Sequence, residues 1–213
     1  MMKSITYRND ELYLRNDLFM TGRFDMPFVY SQNVLLQNIQ LISFSNIKTV
    51  ENSESQKSKT VHFFLDDYKF DEVWNNPKAQ LERLFQYAQL LSPGFSLYSD
   101  MPEPLQIYNT FRNRWCAAYW QYNKQSVIPT IVWGGENTFE FCFDSIEKGC
   151  VVAVSTIGTQ DDETAFMSGY RTMCEIIEPE SVINYGKSFD DMPQYAKLIV
   201  IPYSHASNDK AEI

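Results

Sequence analysis

Four carboxylates, Asp66, Asp67, Asp100 and Glu136, follow short apolar runs whose spacing reads as β-strands. If those runs are parallel strands of an α/β fold, their carboxyl ends share one face, and that face is where such folds bind ligands. Carboxylates gathered there can divide into acid and base when their surroundings push their pKa values apart. They can also hold a hard cation such as Mg2+, for which Asp67 and Asp100 are the candidate ligands. Arg112 and Arg114 supply the planar fork that positions a carboxylate or phosphate. Trp133, Thr156 and Tyr185 stand at the tips of three further expected strands and would position a substrate at the same mouth. The chemistry these types suit is metal-assisted or acid/base hydrolysis, or transfer, on a nucleotide or glycan.

Each candidate has a structural competitor. Asp100 precedes Met101-Pro102-Glu103 with capping-box spacing, and Asp161 or Asp162 opens another helical pattern, so capping accounts for them first. Asp66 and Asp67 lie well ahead of the next helix and lack that account. Glu136 belongs to a Gly134-Gly135-Glu136-Asn137 turn. Arg112 and Arg114 flank an apolar helical stripe, where either could pair with a sheet-end carboxylate or cover aromatic rings. The Gly158-Thr159 loop has the look of a phosphate cradle, yet Asp161, Asp162 and Glu163 beside it would repel an anion. There is no G-x-x-x-x-G-K-[ST], G-x-S-x-G or H-E-x-x-H motif. With His62 and His205 as the histidines, a Ser/His/Asp or Cys/His mechanism has little to stand on.

The elements that must position these residues are legible as an alternation. Expected strands are Ile39–Ser45, Val61–Leu65, Phe95–Tyr98, Ile128–Trp133, Val151–Thr156, Val182–Tyr185 and Leu198–Pro202. Several are apolar on both parities, as strands covered on both faces are. Asn76-Pro77 opens a helix whose face runs Leu81, Leu84, Phe85, Ala88 and Leu91. A second helix carries Leu105, Tyr108, Phe111, Trp115 and Ala118, and a third Phe166, Gly169, Tyr170, Met173 and Ile177. The fold class is therefore α/β: a mostly parallel sheet of about seven strands with alternating helices, barrel-like in the manner of a small or incomplete β/α barrel. A doubly wound open sheet is the alternative. Lys48–Thr60 is almost wholly polar and reads first as a surface loop, with a lid as its functional alternative. The first 30 or so residues are expected to cover one end of the sheet, and the tail Ser204–Ile213 to fray.

Composition narrows the function class. The 213 residues hold 18 basic and 27 acidic side chains, a net charge of −9, which argues against phosphate clamping as the main source of affinity and hence against direct nucleic-acid binding. With 44% hydrophobic residues there is material for one buried core, so a single domain over 1–213 is expected. No apolar run is long enough to span a bilayer and no secretory h-region opens the chain. The four cysteines lack C-x-x-C spacing and read as reduced thiols of a cytoplasmic protein.

One resemblance goes further than composition. Trp74-Asn75-Asn76-Pro77, Phe95-Ser96-Leu97-Tyr98-Ser99-Asp100-Met101-Pro102 and Asn109-Thr110-Phe111-Arg112-Asn113-Arg114 resemble a domain-of-unknown-function family (family 4417) common in bacteriophages, plasmids and integrative elements. Ile128-Pro129-Thr130-Ile131-Val132-Trp133-Gly134, Val154-Ser155-Thr156-Ile157-Gly158-Thr159 and Tyr185-Gly186 are similar to the same family, so the likeness covers most of the chain. It implies a mobile-element setting in the bacterial host cytosol and a compact α/β fold, and it carries no established reaction and no catalytic residue. Three functions stay open: an enzyme with a carboxylate site acting on an unknown small molecule, a binding protein that occludes a host enzyme or defence protein, and a nucleic-acid-associated replication factor.

Overall fold

The computed structural model describes residues 10–203. Seven strands run in two parallel sheets. β3 (Leu41–Ser43), β4 (Thr60–His62), β5 (Gln89–Leu91) and β6 (Val127–Ile128) form one, in that order. β7 (Val151–Ser155), β8 (Ser181–Tyr185) and β9 (Leu198–Ile201) form the other. β1 (Met20–Thr21) and β2 (Met26–Pro27) make a separate antiparallel pair. The helices are α1 (Glu11–Leu14), α2 (Glu54–Lys57), α3 (Glu72–Asn75), α4 (Pro77–Leu84), α5 (Glu103–Tyr122), α6 (Phe139–Cys142) and α7 (Glu163–Ile177). The fold is α/β with mostly parallel strands, as expected. A single seven-stranded sheet is not what the strand pairing gives.

The two parallel sheets touch where β6 gives way to an irregular extension. Thr130 bridges Ala153 in parallel, the Ile131 amide donates to the Ala153 carbonyl at 2.8 Å, and the Ala153 amide donates to the Pro129 carbonyl at 2.9 Å. Pro129 has no N–H to give, so it breaks a regular ladder at this point.

One expected strand moves. Phe95–Tyr98 has no strand structure, and β5 lies at Gln89–Leu91, where the sequence period suggested the end of a helix. Leu90 and Leu91 satisfy both periods over so short a window. The helix ends at Leu84, with the Phe85 amide closing on the Leu81 carbonyl. Tertiary pairing with β4 and β6 then decides the rest. Capping divides likewise. Asp162 caps α7, accepting from the Ala165 amide at 3.1 Å, whereas Asp100 lies in the turn before α5 and caps nothing. Lys48–Thr60 is not a featureless loop either, because it contains α2.

Strand alternation sorts the apolar residues into two cores. Val127, Val152, Val154 and Val182 join the large cluster that includes Trp115, Trp120, Tyr170 and Met173 of α5 and α7. Their sequence neighbours Ile128, Val151, Ala153 and Ile183 join Leu91 in a second cluster, completed by Leu41, Phe64, Ile199, Ile201, Val34, Leu36 and Ile39. Among the described residues no helical side chain enters that second cluster. Both sheets contribute to each core.

The N-terminal segment packs against the side and one end of this arrangement. The Arg15 guanidinium lies 3.6 Å from the Trp74 ring centroid and 4.1 Å from that of Trp115, and donates to the Trp74 carbonyl. Further on, the Gln89 side chain both donates to the Leu35 carbonyl and accepts from its amide, and Gln32 accepts from the Val127 amide. Gln89 and Val127 are the first residues of β5 and β6, so residues 32–35 cover the amino ends of the strands. Among the described residues no helix is long and apolar enough to cross a membrane.

Candidate functional site

The sequence-derived candidates do not meet at one point. Asp67 opens a 3-10 turn and accepts from the Ser96 amide (3.1 Å to Oδ1) and the Ser96 hydroxyl (2.8 Å), with Arg112 Nη2 3.9 Å away. Arg112 also donates to Asp71 at 3.2 Å and to Asn109 at 2.6 Å, and stacks 3.8 Å over Phe95. Asp66 turns the other way, paired to Lys69 at 3.4 Å. Asp100 is exposed, and Glu136 is an exposed acceptor for the Ser168 hydroxyl. Among the described residues no group of three or more His, Cys, Asp or Glu could hold a metal ion.

The Asn109–Arg114 segment works as a brace. Asn109 donates to the Ser96 carbonyl at 2.7 Å; Asn113 donates to the carbonyls of Pro93 and Thr130 and accepts from the Ser92 hydroxyl. Arg114 is 1% exposed and gives its fork to Asn113 Oδ1 and the Cys142 and Asp144 carbonyls. Its charge has no carboxylate partner among the described residues, and desolvation lowers its pKa to about 10. These three residues pin the loops that follow β5 and β6 to α5. Trp133 is likewise packed, against Phe143 and Phe166. Thr156 is buried and donates to the Lys187 carbonyl while accepting from Asn184, which fixes the turn after β8.

Tyr185 differs from the rest: though buried at 6% exposure, it belongs to the lining of an open cleft. The cleft has a volume of about 450 Å3 and lies where β3 and β4 approach the ends of β8 and β9. The first sheet's edge contributes Ser43, His62 and Phe64 to its lining, the second Tyr185, Ile201 and Tyr203, and the polar segment around α2 contributes Lys48, Glu51 and Lys59. The cleft's size falls in the usual range for small-molecule pockets, roughly 300–1,000 Å3, and its lining is about equally polar and apolar.

Rings form the floor. Tyr185 stacks on Phe64 with centroids 5.0 Å apart and planes at 10°, His62 lies 4.9 Å from Tyr185, and Tyr203 meets it edge-on at 5.8 Å. Gly186 follows Tyr185 at φ +116°, and a Cβ there would stand 2.8 Å from Thr156 Oγ1, so the turn that presents Tyr185 requires glycine. His62 is 6% exposed, and desolvation lowers its pKa to about 4, leaving a neutral ring at neutral pH. Its Nδ1 accepts from the Phe64 amide at 3.3 Å, which places the proton on Nε2 as a donor.

The polar segment is a fixed wall. Glu51 is 3% exposed and accepts from the Ser53 amide at 2.8 Å, with Lys48 at 4.0 Å and the Tyr87 hydroxyl at 3.5 Å; the Ser53 bond, ahead of the lysine, lowers its pKa. Gln86 accepts from the Glu51 amide and donates to the Thr49 carbonyl. The sequence reading passed over His62, Glu51, Lys48 and Lys59. The apolar run Val61–Leu65 reads as a strand to its end, which puts the strand-end residues from Asp66 onward. The strand stops at His62. The polar segment between two strands, with a lid as its functional alternative, is the one sequence feature that pointed to these residues.

A domain-of-unknown-function family, DUF4417, matches residues 19–204. The chain belongs to this family. Every residue lining the cleft lies inside the DUF4417 match. Two curated relatives are each named Gene 1 protein. That of Mycobacterium phage L5 is 42% identical over 137 residues, 62% of this chain and 60% of the relative. That of Mycobacterium phage D29 is 40% identical over 130 residues, 60% of this chain and 48% of the relative. The DUF4417 chain thus spans about half to three fifths of those relatives. No solved structure matches it.

Proposed function

We propose that this DUF4417 protein is a phage-associated small-molecule-binding protein of enzyme type, its ligand seated in the cleft between the ends of β3–β4 and β8–β9. The reading rests chiefly on which strand ends are open. The N-terminal segment closes the amino ends through Gln89 and Val127, and the residues at the opposite ends line a cleft. In parallel α/β folds those are the ends that bind ligands. The division of apolar side chains into a helix-facing core and a strand-only core supports a barrel-like wrapping of the two sheets, with the cleft at the open seam between β3 and β9. Hydrolysis or transfer on a nucleotide or glycan is the chemistry proposed, with the His62 Nε2–H as a hydrogen-bond donor and the Glu51 carboxylate, held in its ionised form, as an acceptor. Asp67 acts as a brace in this reading.

A thermal-shift screen over nucleotides, sugar phosphates and neutral sugars tests it. At least one class should raise Tm of the native sequence and fail to raise that of Lys59→Ala. A screen in which no class shifts Tm would sink the small-molecule reading. The competing reading, a binding protein that occludes a host or defence protein, draws on a different place. Phe19, Tyr30 and Tyr122 are 61%, 49% and 70% exposed around a second cavity of about 450 Å3. A host protein captured by the native chain and lost with Tyr122→Ala would favour that alternative.

A further inference from the structure

We propose that the cleft takes a small anion carrying a flat ring, specifically a free nucleoside monophosphate, with its phosphate between Lys48 and Lys59 and its base against the exposed ring of Tyr203. This rests on the small-molecule reading above and names the substrate class of the same site.

Charge is the first support. The protein carries −9 overall, yet the charged side chains lining the cleft are two lysines and one glutamate. His62 adds nothing, being neutral. Lys59 has no carboxylate partner among the described residues, and Lys48 is 4.0 Å from Glu51, at the limit of an ion pair. The cleft is thus a cationic spot on an acidic molecule, which selects against neutral and cationic ligands and draws small anions in. The one carboxylate also limits how much negative charge it tolerates. A monophosphate, with about −1.5 to −2 charge, matches two lysines more closely than a triphosphate does.

Shape is the second. Tyr203 is 49% exposed beside the stacked Tyr185–Phe64 pair, so a flat ring has an aromatic surface to lie on. Stacking of a base on an aromatic side chain is worth about 1–3 kcal/mol in general. Around that surface stand groups that can read a base edge or a ribose: the His62 Nε2–H, the Asn46 and Gln56 amides and the Ser43 hydroxyl. A sugar phosphate would leave the rings uncovered, and a free nucleoside would leave the lysines without an anion.

Calorimetric titration of the whole chain tests this with AMP, GMP, CMP and UMP, the matching nucleosides, inorganic phosphate and glucose 6-phosphate. At least one monophosphate should bind about tenfold or more tightly than its nucleoside, than phosphate and than the sugar phosphate. Lys59→Ala should weaken the monophosphate about tenfold and leave the weak nucleoside binding as it was. Tyr203→Ala should weaken nucleotide and nucleoside alike and spare inorganic phosphate. Lys59 makes no ion pair among the described residues, so Lys59→Ala should keep the native Tm without ligand, and Tyr203→Ala, which loses the edge contact to Tyr185, is compared at a temperature where the unliganded variant is fully folded. Equal binding of nucleoside and monophosphate, or of sugar phosphate and monophosphate, would overturn the proposal. So would preferential binding of a 5′-phosphorylated oligonucleotide over the free mononucleotide. If another class in the screen raises Tm through Lys59 while no nucleotide binds, the nucleotide assignment fails and the small-molecule site stands. If no class does, both fail together.

Discussion

Single side chains carry opposite meanings in the sequence and in the fold. Asp67 drew attention as a strand-end carboxylate, and it spends its oxygens on the Ser96 amide and hydroxyl. Asp67→Ala should therefore cost about 1–3 kcal/mol in urea denaturation, the usual range for hydrogen bonds to a charged acceptor, and leave ligand binding in the cleft unchanged. A variant as stable as the native protein but functionally dead would return Asp67 to the active chemistry. His62 makes a pH prediction. Its folded value, about 4, lies below the unfolded 6.5, so the unfolded chain takes up the proton first. Its contribution is complete above about pH 6.5 and is lost as pH falls toward 4. At ~1.4 kcal/mol per pH unit the ceiling is roughly 3 kcal/mol. Denaturation midpoints between pH 7 and 4 should flatten in His62→Gln. A residual acid loss will persist below about pH 4.5, because Glu51 is also held below its ordinary value and its contribution disappears on protonation. The cysteines make no such offer: all four are buried and free, and burial pushes Cys116 and Cys150 up to about 12.

Elements are fixed by close approaches that a linear reading registers only as composition. Gly169 looks like an expendable glycine within a helix. A Cβ there would stand 2.1 Å from Trp133 Nε1, so α7 reaches the strand extension after β6 only because that side chain is missing. Gly169→Ala should destabilise by about 1–3 kcal/mol despite its better helix propensity, since overpacking outweighs a gain of under about 1 kcal/mol. Much of that loss should return in the Trp133→Leu background, measurable as a double-mutant cycle in thermal unfolding. Along α5, Arg114→Met should cost about 2–4 kcal/mol, because it takes the guanidinium donors from the Cys142 and Asp144 carbonyls. Arg112, half a turn away, is braced by Asp71 and Asn109, which is why the two arginines cannot be read as an interchangeable pair.

Across the whole molecule, the two parallel sheets share their cores. Residues of β4, β5 and β6 pack in the same clusters as residues of β7 and β8. Unfolding should accordingly be one cooperative transition, with near-ultraviolet and far-ultraviolet circular dichroism giving coincident curves in urea. Two separated transitions would mean that the Thr130–Ala153 bridge joins independent halves. The α/β alternation, both long helices and the buried strands β7 and β8 were legible because each repeats a period over enough residues to be unambiguous, whereas β9, equally apolar, lies at the sheet edge with Val200 46% exposed. β5 was not legible, since Leu90 and Leu91 fit a helix as well as a strand. Membership in DUF4417 was legible from short runs such as Asn109–Arg114, which the fold explains as a brace between α5 and two strand-end loops. The sequence by itself determined the class of fold and which strands are apolar on both faces, because hydrophobic period is a local property. Tertiary structure alone decided which ends of those strands stay open and brought Lys48, Lys59, His62 and Tyr185 to one cleft. Convergence of residues so far apart in the chain depends on sheet order and on where each strand stops, and no local pattern encodes either.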